Sequence, residues 1–164
     1  MDYALFVQAI ADYAVFPVVI IGGWALLAIP MKEKYRAYCC FFLAGITAFL
    51  LAKLVATIYQ PAAERPYELL GVTPGASYLD NPGFPSDHAL FVTAIALAVW
   101  FETKRKWTSV ILASLVVIVC IGRVLALVHT PLDVVAGVAI ACVGGIWYLQ
   151  RDPTKKASKS KKHS

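Results

Sequence analysis

Charged residues are scarce in this chain of 164 residues, of which only 15% are Asp, Glu, Lys or Arg. Hydrophobic residues make up 60% and the mean hydropathy is +0.69, which is too apolar for a soluble domain of this size. The charges leave five uncharged stretches, each typical of a membrane helix. These stretches are residues 13–31, 37–52, 89–101, 107–122 and 134–150.

Length supports the membrane interpretation, with one exception. A helix needs about 20 apolar residues to cross about 30 Å of hydrocarbon, and the stretch 89–101 is shorter than that. It can still span if Glu102 and Lys104 lie at one interface and the other end opens into a polar cavity, which we predict. A buried helical core in a soluble protein is the alternative, but five such stretches leave no polar face. We therefore predict an all-α integral membrane bundle with about five transmembrane helices.

Two further absences exclude other classes of protein. The segment before the first apolar stretch carries Asp2 but no Lys or Arg, so we do not expect a cleaved signal peptide. No CxxC pair occurs, and every cysteine lies in a hydrophobic stretch, which indicates packing residues and neither a disulfide framework nor a zinc site. The cysteines are Cys39, Cys40, Cys120 and Cys142.

Basic residues are scarce on one side of the predicted membrane domain. Lys and Arg in short loops mark the cytoplasmic side, and twelve of the fifteen follow the first, third or fifth predicted helix. This distribution predicts a multi-pass protein of the cell membrane with its amino terminus outside and its carboxyl terminus in the cytoplasm. We predict a transmembrane domain over residues 1–150 and a basic, disordered cytoplasmic tail over 151–164 that touches anionic lipid headgroups.

The three remaining basic residues fall near the outer ends of the predicted helices, together with two histidines. Charges at this depth are costly unless they are paired or wet, so these residues are functional candidates. Cations bind phosphate, and imidazoles transfer protons or attack near neutral pH, so we expect an anionic substrate. The five residues are Lys53, Arg65, Arg123, His88 and His129.

Two clusters carry the chemistry. His129 and Asp133 lie four positions apart, so that on a helical path the carboxylate can hold one ring nitrogen while the other attacks. Arg123 precedes this pair by six positions, and its planar fork suits phosphate oxygens. In the second cluster, Ser86 begins a predicted helix whose free amide groups favour an anion, and His88 can protonate a leaving oxygen.

These residues resemble the three-part signature of the type 2 phosphatidic acid phosphatase superfamily: Lys-x6-Arg-Pro, Pro-Ser-Gly-His and Ser-Arg-x5-His-x3-Asp. The third part matches residues 122–133, and the second matches 85–88 with Asp87 in place of glycine, a variant similar to bacterial undecaprenyl-diphosphate phosphatases. The resemblance covers roughly residues 50–140. It departs at Lys53, which eleven residues separate from Arg65, and at Gly122, which stands where the family has serine.

The resemblance implies a role for each matching residue. His129 would form a phosphohistidine, Asp133 would orient it, and His88 would protonate the leaving group. The family chemistry implies neither a metal nor another cofactor. The phosphate would be bound by Arg65, Arg123 and Ser86, with Asp87 beside it and Lys53 in the position of the family lysine.

Simpler interpretations remain for single residues. Thr130, Pro131 and Asp133 together are typical of a helix start, and Ser86 with Asp87 is typical of a cap. Lys53 can also extend to the interface or pair with an acid. None of these explains why two histidines and two arginines reach one membrane surface.

The expected function is hydrolysis of a membrane lipid phosphate or diphosphate, with undecaprenyl diphosphate favoured. The expected partners are that lipid and the bilayer, with no nucleic acid. Alternatives are a phosphatase for phosphatidic acid or phosphatidylglycerol phosphate, and a non-catalytic protein that binds lipid phosphates. A vanadate-dependent peroxidase with the same anion pocket is disfavoured because those relatives are soluble.

Overall fold

The computed structural model describes residues 3–59, 64–78 and 83–149, and within them all regular structure is helical. The predicted disordered tail lies outside the described residues, and the domain boundary at residue 150 stays a prediction. Six helices follow one another, and we number them in chain order. They are α1 Tyr3–Leu27, α2 Met31–Ile58, α3 Pro66–Leu69, α4 Asp87–Glu102, α5 Lys106–Leu125 and α6 Pro131–Leu149.

Within the described residues, four helices are long and apolar enough to cross a membrane: α1, α2, α5 and α6. The predicted all-α membrane bundle is therefore confirmed. The fifth predicted span, α4, is the short one, with 16 residues. Which side of the membrane each end faces stays a prediction.

Several helices are longer than their uncharged stretches. Helix α1 begins at Tyr3, not near residue 13, and α2 begins at Met31, not near residue 37. In α1 the added residues are mostly apolar and Asp12 alone breaks the uncharged stretch, whereas in α2 the helix continues through charged residues. In α2 the first two turns carry Lys32, Lys34 and Arg36, whose side chains can extend into water.

Helix α4 occupies the centre of the bundle. It packs against α1, α2, α5 and α6, and its residues Ala89, Val92 and Val99 are completely buried. Because its neighbours surround it, α4 needs no long lipid-facing surface of its own. Its position also brings its first turn beside the start of α6, where the candidate site lies.

The other end of α4 carries Glu102, whose predicted place at a membrane interface stays a prediction. The Glu102 side chain is only 2% exposed, and its Oε2 accepts a hydrogen bond of 2.7 Å from Arg36 Nη2 in α2. A carboxylate at the end of a central helix is enclosed by other helices and needs such a partner. Two cavities of about 700 and 210 Å³ lie at this end. The cavity predicted at the opposite end stays a prediction.

Candidate active site

The segment before His129 is fixed by residues 64–78 of the loop between α2 and α4, which is predicted to lie on the outer side. Within this segment Leu127 adopts a left-handed backbone, with a φ of +59°. That conformation is strained for a residue with a β-carbon and persists only where its surroundings hold it. Three hydrogen bonds supply this restraint: Tyr67 N–H to Leu127 O (3.1 Å), Gly75 N–H to Ala126 O (3.0 Å) and Arg65 Nη1 to Val128 O (2.6 Å).

His129 and Asp133 come together at the start of α6. Asp133 Oδ2 accepts a 2.7 Å hydrogen bond from the Thr130 N–H, and the Asp133 N–H donates to Thr130 Oγ1 at 3.2 Å. The same Oδ2 lies 3.6 Å from His129 Nδ1, which is longer than a hydrogen bond. The helix-start interpretation is therefore correct for Thr130 and Asp133. This cap also holds the carboxylate beside the imidazole.

His129 is suited to be neutral near pH 7. It is only 5% exposed, and burial is the largest influence that lowers its pKa below the ordinary 6.5. The Asp133 carboxylate opposes this shift, whereas the positive charges of Arg123 and Arg65 add to it. Because Nδ1 faces Asp133, Nε2 is the ring nitrogen turned away from the carboxylate.

A direct backbone contact joins the second cluster to the first. The Ser86 N–H donates a 3.0 Å hydrogen bond to Asp133 O, which ties the start of α4 to the first turn of α6. Ser86 is fully buried and caps α4, since its Oγ accepts the Ala89 N–H at 3.4 Å. His88 is half-buried in that first turn, two residues after Ser86.

Both arginines of the candidate site are buried. Arg123 is 1% exposed, and its Nη1 lies 3.3 Å from Asp12 Oδ1. Its Nε is buried with no hydrogen-bond acceptor among the described residues, and His129 Nδ1 is in the same situation. The Arg65 guanidinium lies 5.1 Å from the centre of the Tyr78 ring. Buried donors without acceptors favour an anion that enters the site.

Lys53 pairs with an acid, as one of its two interpretations predicted. Its Nζ lies 3.7 Å from Asp87 Oδ1, and the Lys53 side chain is half exposed. Asp87 follows Ser86 directly, so this pair lies beside the start of α4. The structure therefore places Lys53 beside Asp87 at the start of α4.

Sequence reasoning missed Asp12. Its carboxylate contacts Arg123. A signal was available, because an acid adjoining an apolar membrane stretch is expected to have a buried partner. The partner could not be identified, since the two residues are 111 positions apart.

No metal-binding group is apparent within the part of the chain that the structure describes. That part holds no cluster of three or more His, Cys, Asp or Glu side chains arranged to bind an ion.

Gly137 controls the approach of α4 to α6 at the site. A β-carbon at residue 137 would lie 2.6 Å from Ser86 O and 3.2 Å from Leu90 N. We expect Gly137→Ala to push Ser86 away from Asp133 and to lower kcat roughly 100-fold, the cost of about 1 Å of misplacement. Gly23→Ala is the control, because no atom lies within 4 Å of its added carbon. Unchanged turnover in Gly137→Ala would show that this contact does not set the site geometry.

Comparison with known proteins identifies relatives of this chain. The family model described as the PAP2 superfamily matches residues 35–157. The "Bacitracin transport permease protein BcrC" of Bacillus licheniformis is 29% identical over 115 residues, which are 68% of this chain and 53% of that protein. The chain thus spans about half the length of this curated relative. No solved structure matches the chain significantly.

Proposed function

Because the chain belongs to the PAP2 superfamily, whose model covers residues 35–157, we propose that it is a lipid phosphatase of the cell membrane. The proposed substrate is a lipid phosphate or diphosphate presented from the outer leaflet, with undecaprenyl diphosphate favoured. The observation that carries the proposal is the placement of Asp133 Oδ2 3.6 Å from the buried His129 Nδ1, beside two buried arginines.

The proposed reaction has two steps. His129 Nε2 attacks phosphorus, the bond from phosphorus to the leaving oxygen breaks, and His88 gives that oxygen a proton. Water then attacks the phosphohistidine while His88 takes a proton from it, which releases phosphate and restores both imidazoles. Asp133 stabilises the charge that develops on His129 during attack.

The phosphate-binding roles follow from the charges around the imidazole. Arg123 offers its buried Nε, and Arg65 adds a second guanidinium whose charge reaches His129. Such donors stabilise the negative charge of the transferring phosphoryl group. We also propose that Ser86 contributes through its hydroxyl at the start of α4.

The preference for a diphosphate rests on the Lys53–Asp87 pair. Asp87 stands where the family signature has glycine, and Lys53 Nζ lies 3.7 Å from its carboxylate. A second phosphate can compete with Asp87 for this half-exposed ammonium group, whereas a monophosphate bound at His129 needs no such contact. Phosphatidic acid and phosphatidylglycerol phosphate are the alternatives that lack a diphosphate.

One assay tests the proposal. Purified protein in detergent with EDTA is given a polyprenyl diphosphate, and released phosphate is measured beside a parallel reaction on a diacylglycerol phosphate. We expect metal-independent release with a higher kcat/KM for the diphosphate. Faster turnover of the diacylglycerol phosphate would replace the favoured substrate. Binding of either lipid without turnover would support the non-catalytic alternative.

The acidic limb of the pH dependence of kcat/KM follows from the lowered pKa of His129, whereas the alkaline limb belongs to the general acid His88, which must be protonated. Protonated His129 cannot attack, so activity falls as pH decreases through the pKa of this residue. Since burial lowers that pKa, we expect the acidic limb below pH 6.5. Asp133→Asn removes an influence that raises the pKa, so its limb should move to still lower pH while kcat falls. A limb that moves upward in Asp133→Asn would contradict this assignment.

A further inference from the structure

Asp12 connects three parts of the molecule on the predicted outer side. It lies in the π-helical segment of α1, Ala9–Tyr13, and its side chain is 13% exposed. Its carboxylate lies 3.3 Å from Arg123 Nη1 in α5 and accepts hydrogen bonds of 3.1 Å from the N–H and Oγ of Ser77 in the outer loop. Asp12 is thus the carboxylate that the structure places in hydrogen-bond contact with the buried Arg123.

The helix packing is built to allow this contact. Gly122 directly precedes Arg123, and a β-carbon there would lie 2.7 Å from Ile10 Cγ2 and 3.0 Å from Ala11 N. Only glycine lets the backbone of α1 approach so closely. A π-helical turn also widens the helix locally and redirects the side chains that follow, a feature that often occurs at functional sites. Both features act within two residues of the Asp12–Arg123 pair.

We propose that Asp12 is a positioning residue that orients Arg123 toward the phosphate and weakens the binding of phosphate before reaction. This inference rests on the proposed function, since it assigns a role within the same site. Asp12 lies in α1, before the family-matched residues 35–157, so the family match does not account for it.

Asp12 affects Arg123 in two opposite ways: it orients the guanidinium for the reaction, and it weakens the binding of phosphate by the guanidinium. Asp12 fixes one Nη of the guanidinium, which leaves the buried Nε in a defined direction for the transition state. The same carboxylate offsets the positive charge of Arg123, so the guanidinium stabilises a bound phosphate less. Without Asp12, the buried guanidinium loses its counter-ion, and an incoming phosphate takes that place. Ground-state binding then strengthens while turnover slows.

Asp12→Asn tests this inference because it removes the charge and retains an oxygen that can accept from Arg123. We expect kcat to fall about tenfold, because the neutral amide oxygen holds the guanidinium less firmly than the charge-assisted hydrogen bond of the carboxylate does. We also expect the Kd for inorganic phosphate, measured by calorimetry in detergent, to fall roughly three- to tenfold. General damage to the fold would weaken phosphate binding, so the two effects together separate positioning from a structural role.

A second variant and a control complete the test. Gly122→Ala leaves every charge in place but forces α1 away from Arg123, so it should shift kcat and the phosphate Kd in the same directions. Glu33→Gln removes an exposed acid at the opposite end of the bundle and should change neither quantity.

The outcomes distinguish this inference from the proposed function. If the wild-type protein hydrolyses lipid diphosphate but Asp12→Asn and Gly122→Ala retain its kcat and phosphate Kd, the inference is wrong and the function stands. If the wild-type protein shows no turnover, the proposed function fails. In that case, the Kd for inorganic phosphate of the two variants still shows whether Asp12 controls the affinity of Arg123 for anions.

Discussion

Replacing His129 with glutamine is expected to lower kcat by about four orders of magnitude or more, as removal of a catalytic nucleophile does in other covalent enzymes. Glutamine approximates the volume of histidine and remains polar, so the buried site should stay filled. The loss should therefore occur without a large change in thermal unfolding. Phosphate release from a polyprenyl diphosphate in EDTA, measured beside the unfolding midpoint, gives both quantities.

His163→Ala is the matched control for this variant. His163 lies in the basic sequence 151–164, outside the three-part signature. Its removal should leave kcat at the wild-type value. Residual turnover of more than about one hundredth in His129→Gln would exclude His129 as the nucleophile, because no other described residue takes its place beside Asp133.

His88→Asn is expected to produce the second large effect, and one that depends on the substrate. Loss of a general acid typically costs a factor of about 10² to 10⁴ when the leaving oxygen needs a proton. In an aryl phosphate with a strongly acidic phenol, the phenolate leaves without that proton. We therefore expect the first step to be slowed severely for the lipid substrate and only slightly for the aryl phosphate.

The comparison between the two histidine variants makes this prediction specific. His129→Gln should abolish turnover of both substrates, since the nucleophile is needed for each. In His88→Asn, the rate of phenol release in the first turnover should remain near the wild-type value. An equal loss on both substrates would show that His88 does not act as the general acid.

Much of the fold was predictable because each membrane helix appears in the sequence as a continuous run of uncharged, apolar residues. The uncharged stretches located the four long spans and the short helix α4. The exact helix starts were not predictable, since backbone helix continues beyond the apolar stretch into residues such as Lys32 and Arg36. The burial of Glu102 was missed because only the packed bundle shows that α4 lies at its centre.

The candidate site divides in the same way. The proximity of His129 and Asp133 was predicted from a separation of four residues along a helical path, but His129 lies before the extended cap Thr130, and the capping hydrogen bonds of α6 bring the carboxylate beside it. Contacts between distant segments were not predictable. Arg65 reaches Val128 across 63 positions, and Asp12 reaches Arg123 across 111. The Asp12 contact depends on Gly122, because a side chain at this position would collide with α1.

Detection of the covalent intermediate is the most direct test of the central claim that His129 attacks phosphorus. Turnover of a polyprenyl diphosphate is stopped within the first seconds at alkaline pH, where phosphohistidine is stable, and the peptides are sequenced by mass spectrometry. The account predicts a phosphoryl group on His129 in the wild-type protein and none in His129→Gln. A phosphoryl group on another residue, or direct transfer to water shown by inversion at phosphorus, would contradict it.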